Sequence, residues 1–581
     1  MRVRRWADGQ ELAALDESLV PGASEVERRR LAALGGLAGA LAGGEVDGWP
    51  SELRGWVDNA PQMPADLLAH VQAAFSDEAD PLAAIYERAV TPRNRRRLGT
   101  FFTPPVLVDH MLNRAQALLG RAPNVVVDPG AGVGAFTVAA ARRWPGARII
   151  AVDINVVTLG MLAARLGREE LAHRTELVLG DFLPWLQSVS REQGSTWLYL
   201  GNPPFTRAQS LDAETKERAA VAAGNLVTSG HATLSTFFAA AVVRALRPQD
   251  GACLLLPAAW TYTRSARELR QGLWERRRRP LELHRWPTAA RAFTGPDVTA
   301  TVVGFGAERS EDQLYTYGRA QVCDGAVAVR GADSLERGDV CPDPLPGGAG
   351  RRLGPSAAAT VPLSEVFRVR RGLATGANHF FFLTDEAASG LPERFHRHAV
   401  PTLRGVDLAI PVFDATAWRA MRAAGRRCLL LELAPGDDED PAVASYLSAG
   451  KKKDLHLRHL CAKRDPWFVL ERVDPPDFLL APLMTHRGVQ LVENVAAAIP
   501  SNSLYGLYRQ SGVDGVLARR VVGWLRSDAG RATLRGQGRR LRGGSLKLEP
   551  GDLKALPIPE VLLRGDEGSE IAGAQLALVA P

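Results

Sequence analysis

The chain is poor in cysteine and nearly devoid of lysine. Its five cysteines (Cys253, Cys323, Cys341, Cys428 and Cys461) are widely scattered and form no C-x-x-C pair. That pattern argues against a disulfide framework or a zinc knuckle and suits a reducing compartment. His456 and His459 stand near Cys461, but no fourth ligand lies at a sensible spacing, so no metal is expected. Only seven of the 71 basic residues are lysine, and three of the seven are consecutive, Lys451, Lys452 and Lys453. No apolar run is long enough to cross a bilayer. The stretch LAALGGLAGALAGG (31–44) is too short and too rich in glycine for that, and it reads as a packed helix. The N-terminus, MRVRRWADGQEL, has basic residues with no apolar segment behind them, which makes it a poor signal peptide. Repeats, heptads, a Walker A motif and a convincing P-D…D/E-x-K nuclease signature are also missing. The expectation is a cytoplasmic, soluble, globular protein with no membrane partner, whose 581 residues suggest about three to four domains.

Charge gives a first, weak pointer. Lys+Arg 71 against Asp+Glu 64 leaves +7, with a pI of 9.3. A basic pI is one footprint of nucleic-acid binding, although +7 over this length is modest and an arginine-biased genome would produce the same excess.

Residues 1–90 are rich in Ala and Leu with helical spacing and read as a helical N-terminal region. A basic run, 93–97, leads into GTFFTPP (99–105). From there to about residue 310, short apolar runs alternate with helical stretches. The candidate strands are 124–128, 148–154, 175–181, 197–202, 251–257, 281–286 and 298–305. Their apolar runs are continuous, as expected of a sheet covered on both faces, which predicts a doubly wound α/β domain over 91–310. Residues 311–360, rich in Gly, Pro and Asp, read as linker or long loops. Residues 361–581 read as a second, mixed α/β region.

Two constellations fall at the predicted carboxyl ends of strands, where such domains bind ligands. The first is VVVDPGAGVGAF: a strand ending in Asp128, a turn carrying Gly130, Gly132 and Gly134, then a helix. The next strand ends in Asp153, whose carboxylate suits both hydroxyls of a ribose, and the third runs into Gly180, Asp181 and Phe182, suited to an adenine. The spacing is G-x-G-x-G rather than the G-x-G-x-x-G of dinucleotide enzymes. The bland reading of any one carboxylate is that it caps the helix after it.

The second is WLYLGNPPF, which ends in Asn202, Pro203, Pro204 and Phe205. Two prolines cannot continue a central strand, so the chain must leave the sheet here with the Asn202 amide and the Pro203 carbonyl held outward. The alternative is an ordinary strand-ending turn.

D-P-G-A-G-V-G-A-F resembles the first motif of the S-adenosyl-L-methionine-dependent methyltransferases, and N-P-P-F resembles the [DNS]-P-P-[YFW] motif of those acting on planar amino groups. Gly99 to Pro105 resembles the G-x-[FY]-[FY]-T-P motif of the gamma-class (TaqI-type) adenine-N6 DNA methyltransferases, where Thr103 would close over the methionine end of the cofactor. RAFTGPDVTA (291–300) resembles the segment in which an aromatic touches the flipped adenine, making Phe293 the candidate. RGLATGANHF (371–380) resembles the opening of that family's target-recognition domain, and KLEPGDLKALPIP (547–559) its ending. The resemblance covers about residues 95–310 and 361–560, and the order of motifs fits gamma.

It implies a Rossmann-like class I methyltransferase with a mostly parallel seven-stranded sheet, followed by a target-recognition domain. Asp128, Gly130, Gly132, Asp153, Asp181, Phe182 and Thr103 would form the cofactor pocket, and Asn202, Pro203, Pro204 and Phe205 would carry the chemistry. Double-stranded DNA would be the partner, in a restriction–modification or phage-defence system with a separately encoded restriction endonuclease or another defence-system component. Arg371, Thr375, Asn378, Lys451, Lys452 and Lys453 are candidate DNA contacts, and a solvated charge run is the plain alternative for the lysines. The run Arg276–Arg279 is read as favourable charge at a helix end or as a DNA contact. The interval 206–231 is polar and reads as a loop that orders on DNA. N-P-P-[YF] also occurs in methyltransferases acting on RNA or protein glutamine, and a catalytically silent DNA-specificity subunit is a further alternative.

Overall fold

The computed structural model describes residues 2–563, leaving aside 76–80, 93, 96–101, 207–209, 287–298, 324–325, 344, 347–359, 405, 407–410, 485–488, 538 and 541–545. The chain forms two compact units, 1–352 and 353–581.

The first unit begins with helices Arg2–Asp8, Glu25–Leu41, Ser51–Asp58, Ala65–Gln72 and Pro81–Ala89, as the Ala/Leu spacing predicts. The glycine-rich stretch lies in the second of these. Ser24 and Glu27 form a reciprocal cap at its start, and Leu31, Leu34, Leu37 and Leu41 face the core. Its glycines let the chain opposite come close: a Cβ on Gly36 would lie 1.9 Å from the Pro61 carbonyl oxygen.

A sheet of nine strands follows: β1 (Val125–Pro129), β2 (Arg148–Asp153), β3 (Thr175–Leu179), β4 (Trp197–Gly201), β5 (Gly251–Pro257), β6 (Leu281–Trp286), β7 (Ala300–Phe305), β8 (Tyr315–Cys323) and β9 (Ala326–Leu335). Their order is β3-β2-β1-β4-β5-β7-β6-β8-β9, and β1 to β5 are parallel. β7 runs antiparallel to both β5 and β6. Every residue of β1, β4, β5 and β7 is buried, which is why these segments read as continuous apolar runs rather than alternating ones. All seven predicted strands are present. The expected linker 311–360 is corrected in part: Tyr315–Cys323 and Ala326–Leu335 form β8 and β9, an antiparallel pair that extends the seven-stranded sheet to nine. Its outer strand is largely exposed, so it lacks the apolar run that marks the others.

The interval 206–231 is also more regular than expected. It carries a helix, Ala213–Ala223, capped by Asp212 and packed on the helix Leu234–Ala245 through Ala219, Ala222 and Ala223. Arg276–Arg279 follows the helix Arg267–Glu275, and its last member is structural. Arg279 is buried and donates to the carbonyls of Asp250, Gly306 and Arg247.

The second unit is mixed α/β. One four-stranded antiparallel sheet runs Phe367–Arg371, Tyr505–Arg509, Phe478–Leu480, Leu491–Glu493, and another joins Phe382–Leu383, Leu429–Leu431, His396–Val400 and Ile499–Pro500. Each has its own apolar core, one centred on Phe381, Phe413 and Trp418, the other on Phe367, Leu507 and Leu525. Among the described residues, no helix is long and apolar enough to cross a membrane.

Candidate active site

Strand order changes direction between β1 and β4: from β1 the chain proceeds outward through β2 and β3, then returns to start β4 and β5 on the other side. A crevice outside the carboxyl ends of strands is expected at such a switch point. Both predicted constellations meet there. Gly130, Gly132 and Gly134 all have positive φ (79°, 57° and 87°), the left-handed region in which other residues are strained. A Cβ on Gly130 would lie 3.5 Å from Pro204, and one on Gly132 would lie 3.5 Å from the Phe102 ring. The glycine turn, the N-P-P-F segment and the T-P segment are therefore neighbours.

The three strand-end carboxylates differ in surroundings. Asp128 is fully buried, and its Oδ2 accepts from the Thr137 amide (3.0 Å) and hydroxyl (2.7 Å) in the first turn of the helix Ala135–Arg143. Burial pushes its carboxyl up to about 7. This is the capping role weighed for a strand-end carboxylate, so Asp128 shapes the turn from behind.

Asp153 is only partly covered. Its Oδ2 accepts from the Gly132 amide at 2.7 Å and its Oδ1 from the Asn155 amide at 2.8 Å. Burial raises its carboxyl above the usual range. Asp181 caps the helix Phe182–Ser188 through Oδ1 and pairs through Oδ2 with Arg218 Nε at 3.3 Å. Phe182 is buried and stacks on Phe238 with centroids 5.0 Å apart. A partly exposed Asp153 carboxylate beside a left-handed glycine turn, with the partly exposed Asp181 carboxylate after the neighbouring strand, suits a ligand that offers a diol and an amine, which fits the nucleoside half of S-adenosylmethionine.

At the end of β4, Asn202 Nδ2 donates to Thr103 Oγ1 at 3.2 Å. Thr103 and Pro203 are buried, while Asn202, Pro204 and Phe205 remain partly exposed. Phe205 and Phe102 both pack on the edge of the same apolar cluster. The helix that follows Thr103, Pro105–Leu119, is anchored to β6 by His110 Nε2 against His284 Nδ1 (3.0 Å) and by Arg114 paired with Glu282. Burial lowers both histidines to about 4, so the pair is neutral at physiological pH. Phe293 lies outside the described residues, as do Gly99, Thr100 and Phe101 of the T-P segment.

In the second unit, Arg371 is exposed and pairs with Glu549, and Asn378 donates to Asn502. Lys451, Lys452 and Lys453 are exposed at the end of the helix Pro441–Lys451. Thr375 is a correction. It is fully buried, with Oγ1 accepting from the Ala377 amide and donating to Asn378, so it shapes the turn instead of presenting a surface contact.

Sequence reasoning missed Thr137, Arg218, Tyr86 and Asn155. Tyr86 belongs to the last N-terminal helix, yet its hydroxyl accepts from Asn155 Nδ2 at 2.8 Å, two residues beyond Asp153. No motif signals a contact between residues 69 positions apart.

Known proteins similar to this chain include Type II methyltransferases and restriction–modification enzymes. Residues 355–575 match the family described as Type II methyltransferase M.Eco57I, C-terminal domain. The chain is 26% identical over 515 residues to Type II methyltransferase M.XamI of Xanthomonas campestris pv. amaranthicola, covering 83% of this chain and 93% of the relative. It is 22% identical over 196 residues to Type II methyltransferase M.AccI of Acinetobacter calcoaceticus, covering 33% and 35%. Among solved structures, the Type IIL restriction-modification enzyme MmeI in complex with DNA shares the fold, with a TM-score of 0.53, 13% identity, and coverage of 95% of this chain and 81% of that one. A Rossmann-like sheet in the order 3-2-1-4-5-7-6, a glycine turn and acidic strand ends on one side of the switch point, and N-P-P-F on the other thus accompany a likeness over nearly the full length of M.XamI: the chain has the class I S-adenosylmethionine-dependent methyltransferase fold and is similar to Type II methyltransferases of restriction–modification systems.

Proposed function

We propose that this protein methylates the exocyclic N6 of an adenine flipped out of double-stranded DNA, as the modification enzyme of a restriction–modification or phage-defence system. The observation that carries the reading is the Asn202–Thr103 hydrogen bond beside the glycine turn. With Nδ2 committed to Thr103, the amide is oriented with its carbonyl oxygen away from that partner, as an acceptor for an amino group. S-adenosylmethionine supplies the electrophilic methyl group on its sulfonium.

The chain's own residues do the rest. An adenine amine is a poor nucleophile because its lone pair is delocalised into the ring. Asn202 Oδ1 and the Pro203 carbonyl accept its two N–H bonds, which favours pyramidalisation and directs the lone pair. No strong base is required, since positioning and preorganised dipoles are the main terms. Phe205 stacks on the flipped base, worth about 1–3 kcal/mol, with Phe293 as the second aromatic. Asp153 holds the ribose, Asp181 the adenine of the cofactor, and Thr103 closes the pocket, while Phe182, buried against Phe238, backs that wall from within the core. A base inside a duplex cannot reach such a site, so flipping is obligatory. The second unit would read the duplex and grip its phosphates, with Arg371, Asn378, Lys451, Lys452 and Lys453 as contacts.

Tritiated-methyl transfer from S-adenosylmethionine is the test, with duplex DNA, RNA and a release-factor protein as alternative acceptors. DNA labelling with N6-methyladenine as the product supports the reading. Labelling of RNA or protein alone, or of cytosine, overturns it. Single-molecule sequencing of DNA from cells expressing the protein then gives the sequence context.

A further inference from the structure

The N-terminal helices Glu25–Leu41 and Ser51–Asp58 pack on the helix Val156–Arg168. Three separate pieces of residues 1–90 converge on the turn that follows Asp153. The Leu19 carbonyl accepts from the Val156 amide at 2.9 Å, the first N–H of the helix Val156–Arg168. Tyr86 Oη accepts from Asn155 Nδ2 at 2.8 Å, while Asn155 Oδ1 caps the next two amides, Val157 and Thr158. One turn on, the Trp56 ring lies so close to Gly160 that a Cβ there would approach it to 2.3 Å. Tyr86 and Asn155 are 1% and 6% exposed, so the bond between them is shielded from water. The Tyr86 ring also meets Phe102 edge-on, centroids 5.8 Å apart, and Phe102 is the ring against which Gly132 sits. One side chain thus touches the turn carrying Asp153 and the segment leading to Thr103.

We propose that Tyr86 is a positioning residue of the cofactor site and that the N-terminal helical region is a working part of that site. Tyr86 fixes Asn155. Asn155 in turn fixes the backbone amide that donates to Asp153 Oδ1, and so the direction in which Asp153 presents its carboxylate. The inference rests on the reading of Asp153 as the ribose ligand.

The test is binding of S-adenosylhomocysteine to the full-length chain by calorimetry, with thermal unfolding recorded alongside. Tyr86→Phe keeps the ring and removes the acceptor. Asn155→Ser keeps a helix-capping oxygen and removes the donor, cutting the same link from the other side. Each should weaken Kd by about three- to tenfold, the scale of one net hydrogen bond, while kcat at saturating S-adenosylmethionine stays within about twofold. In an Asp153→Ala background, Tyr86→Phe should have almost no further effect on Kd. Unchanged affinity in both single variants overturns the proposal, as does an equal loss with and without Asp153, which would mark a general loosening. If Asp153→Ala alone leaves Kd unaltered, the ribose assignment falls first and takes the inference with it.

Discussion

At the residue scale, the contrast between Asp128 and Asp153 separates shape from contact. Both close parallel strands and both are acidic, yet one is sealed against Thr137 and the other is partly open beside Gly132. With its folded value near 7, against 3.8 for a free side chain, Asp128 holds a proton in the native state that the unfolded chain has already released. Native stability therefore falls as pH rises between about 4 and 7. Asp128→Asn does not titrate, so it should gain on the parent protein across that window, by up to about 4 kcal/mol at pH 8 relative to pH 4. Urea unfolding of the ligand-free protein at the two pH values measures this, and identical pH dependence in both proteins would refute the buried-carboxyl account. The Asn202–Thr103 bond makes a different kind of prediction. Asn202→Ala should lower methyl transfer by about 10²–10³-fold, the scale of losing one preorganised polar group, with cofactor affinity changed only a few-fold. Thr103→Val should lower kcat and Thr103→Ser restore it. Loss of affinity in place of rate would sink the orientation argument.

At the element scale, the helix Val156–Arg168 bears the contacts from the N-terminal region, and its glycines are not equivalent. Gly160 faces the Trp56 ring, which is held by Trp56 Nε1 donating to the Leu31 carbonyl at 3.0 Å. Gly167 faces open space in the same helix. Gly160→Ala should destabilise by about 1–3 kcal/mol through overpacking, whereas Gly167→Ala should stabilise by up to about 1 kcal/mol through helix propensity. Urea midpoints of the two variants should move in opposite directions. A common shift would mean that the Trp56 contact does not constrain the helix. The helix Ala213–Ala223 shows a related point: Arg218 ties an element between N-P-P-F and β5 to Asp181 at the end of β3. Its polar composition reads as loop because only one face, Ala219, Ala222 and Ala223, is buried.

At the scale of the whole molecule, charge matters by where it is placed. A net +7 is thin over 581 residues, and many arginines are spent internally, as Arg279 and Arg270 are on backbone carbonyls. Three of the seven lysines stand exposed together at the end of one helix in the second unit. If they contact phosphates, the combined variant Lys451→Ala, Lys452→Ala, Lys453→Ala should reduce the slope of log affinity against log salt by up to about 3 for duplex DNA. It should weaken specific and nonspecific duplexes alike. An unchanged slope would return the run to the status of a solvated face.

Local order was legible along the chain because it is written in short-range terms. Continuous apolar runs marked β1 to β7, the left-handed φ values of Gly130, Gly132 and Gly134 follow from what only glycine tolerates cheaply, and Pro203-Pro204 ended β4 where no strand could continue. The same local terms failed for β8 and β9, whose exposed edge lacks an apolar signature and whose place in the sheet depends on pairing with β6. They failed for Thr375, since burial is a property of the surroundings and not of the residue. Folding alone decided which carboxylate was sealed and which left open. It also brought Thr103 to Asn202 across 99 residues and Tyr86 to Asn155 across 69. These pairings carry no sequence signal because each is a single bond between common side chains, specified by the packing of everything between them.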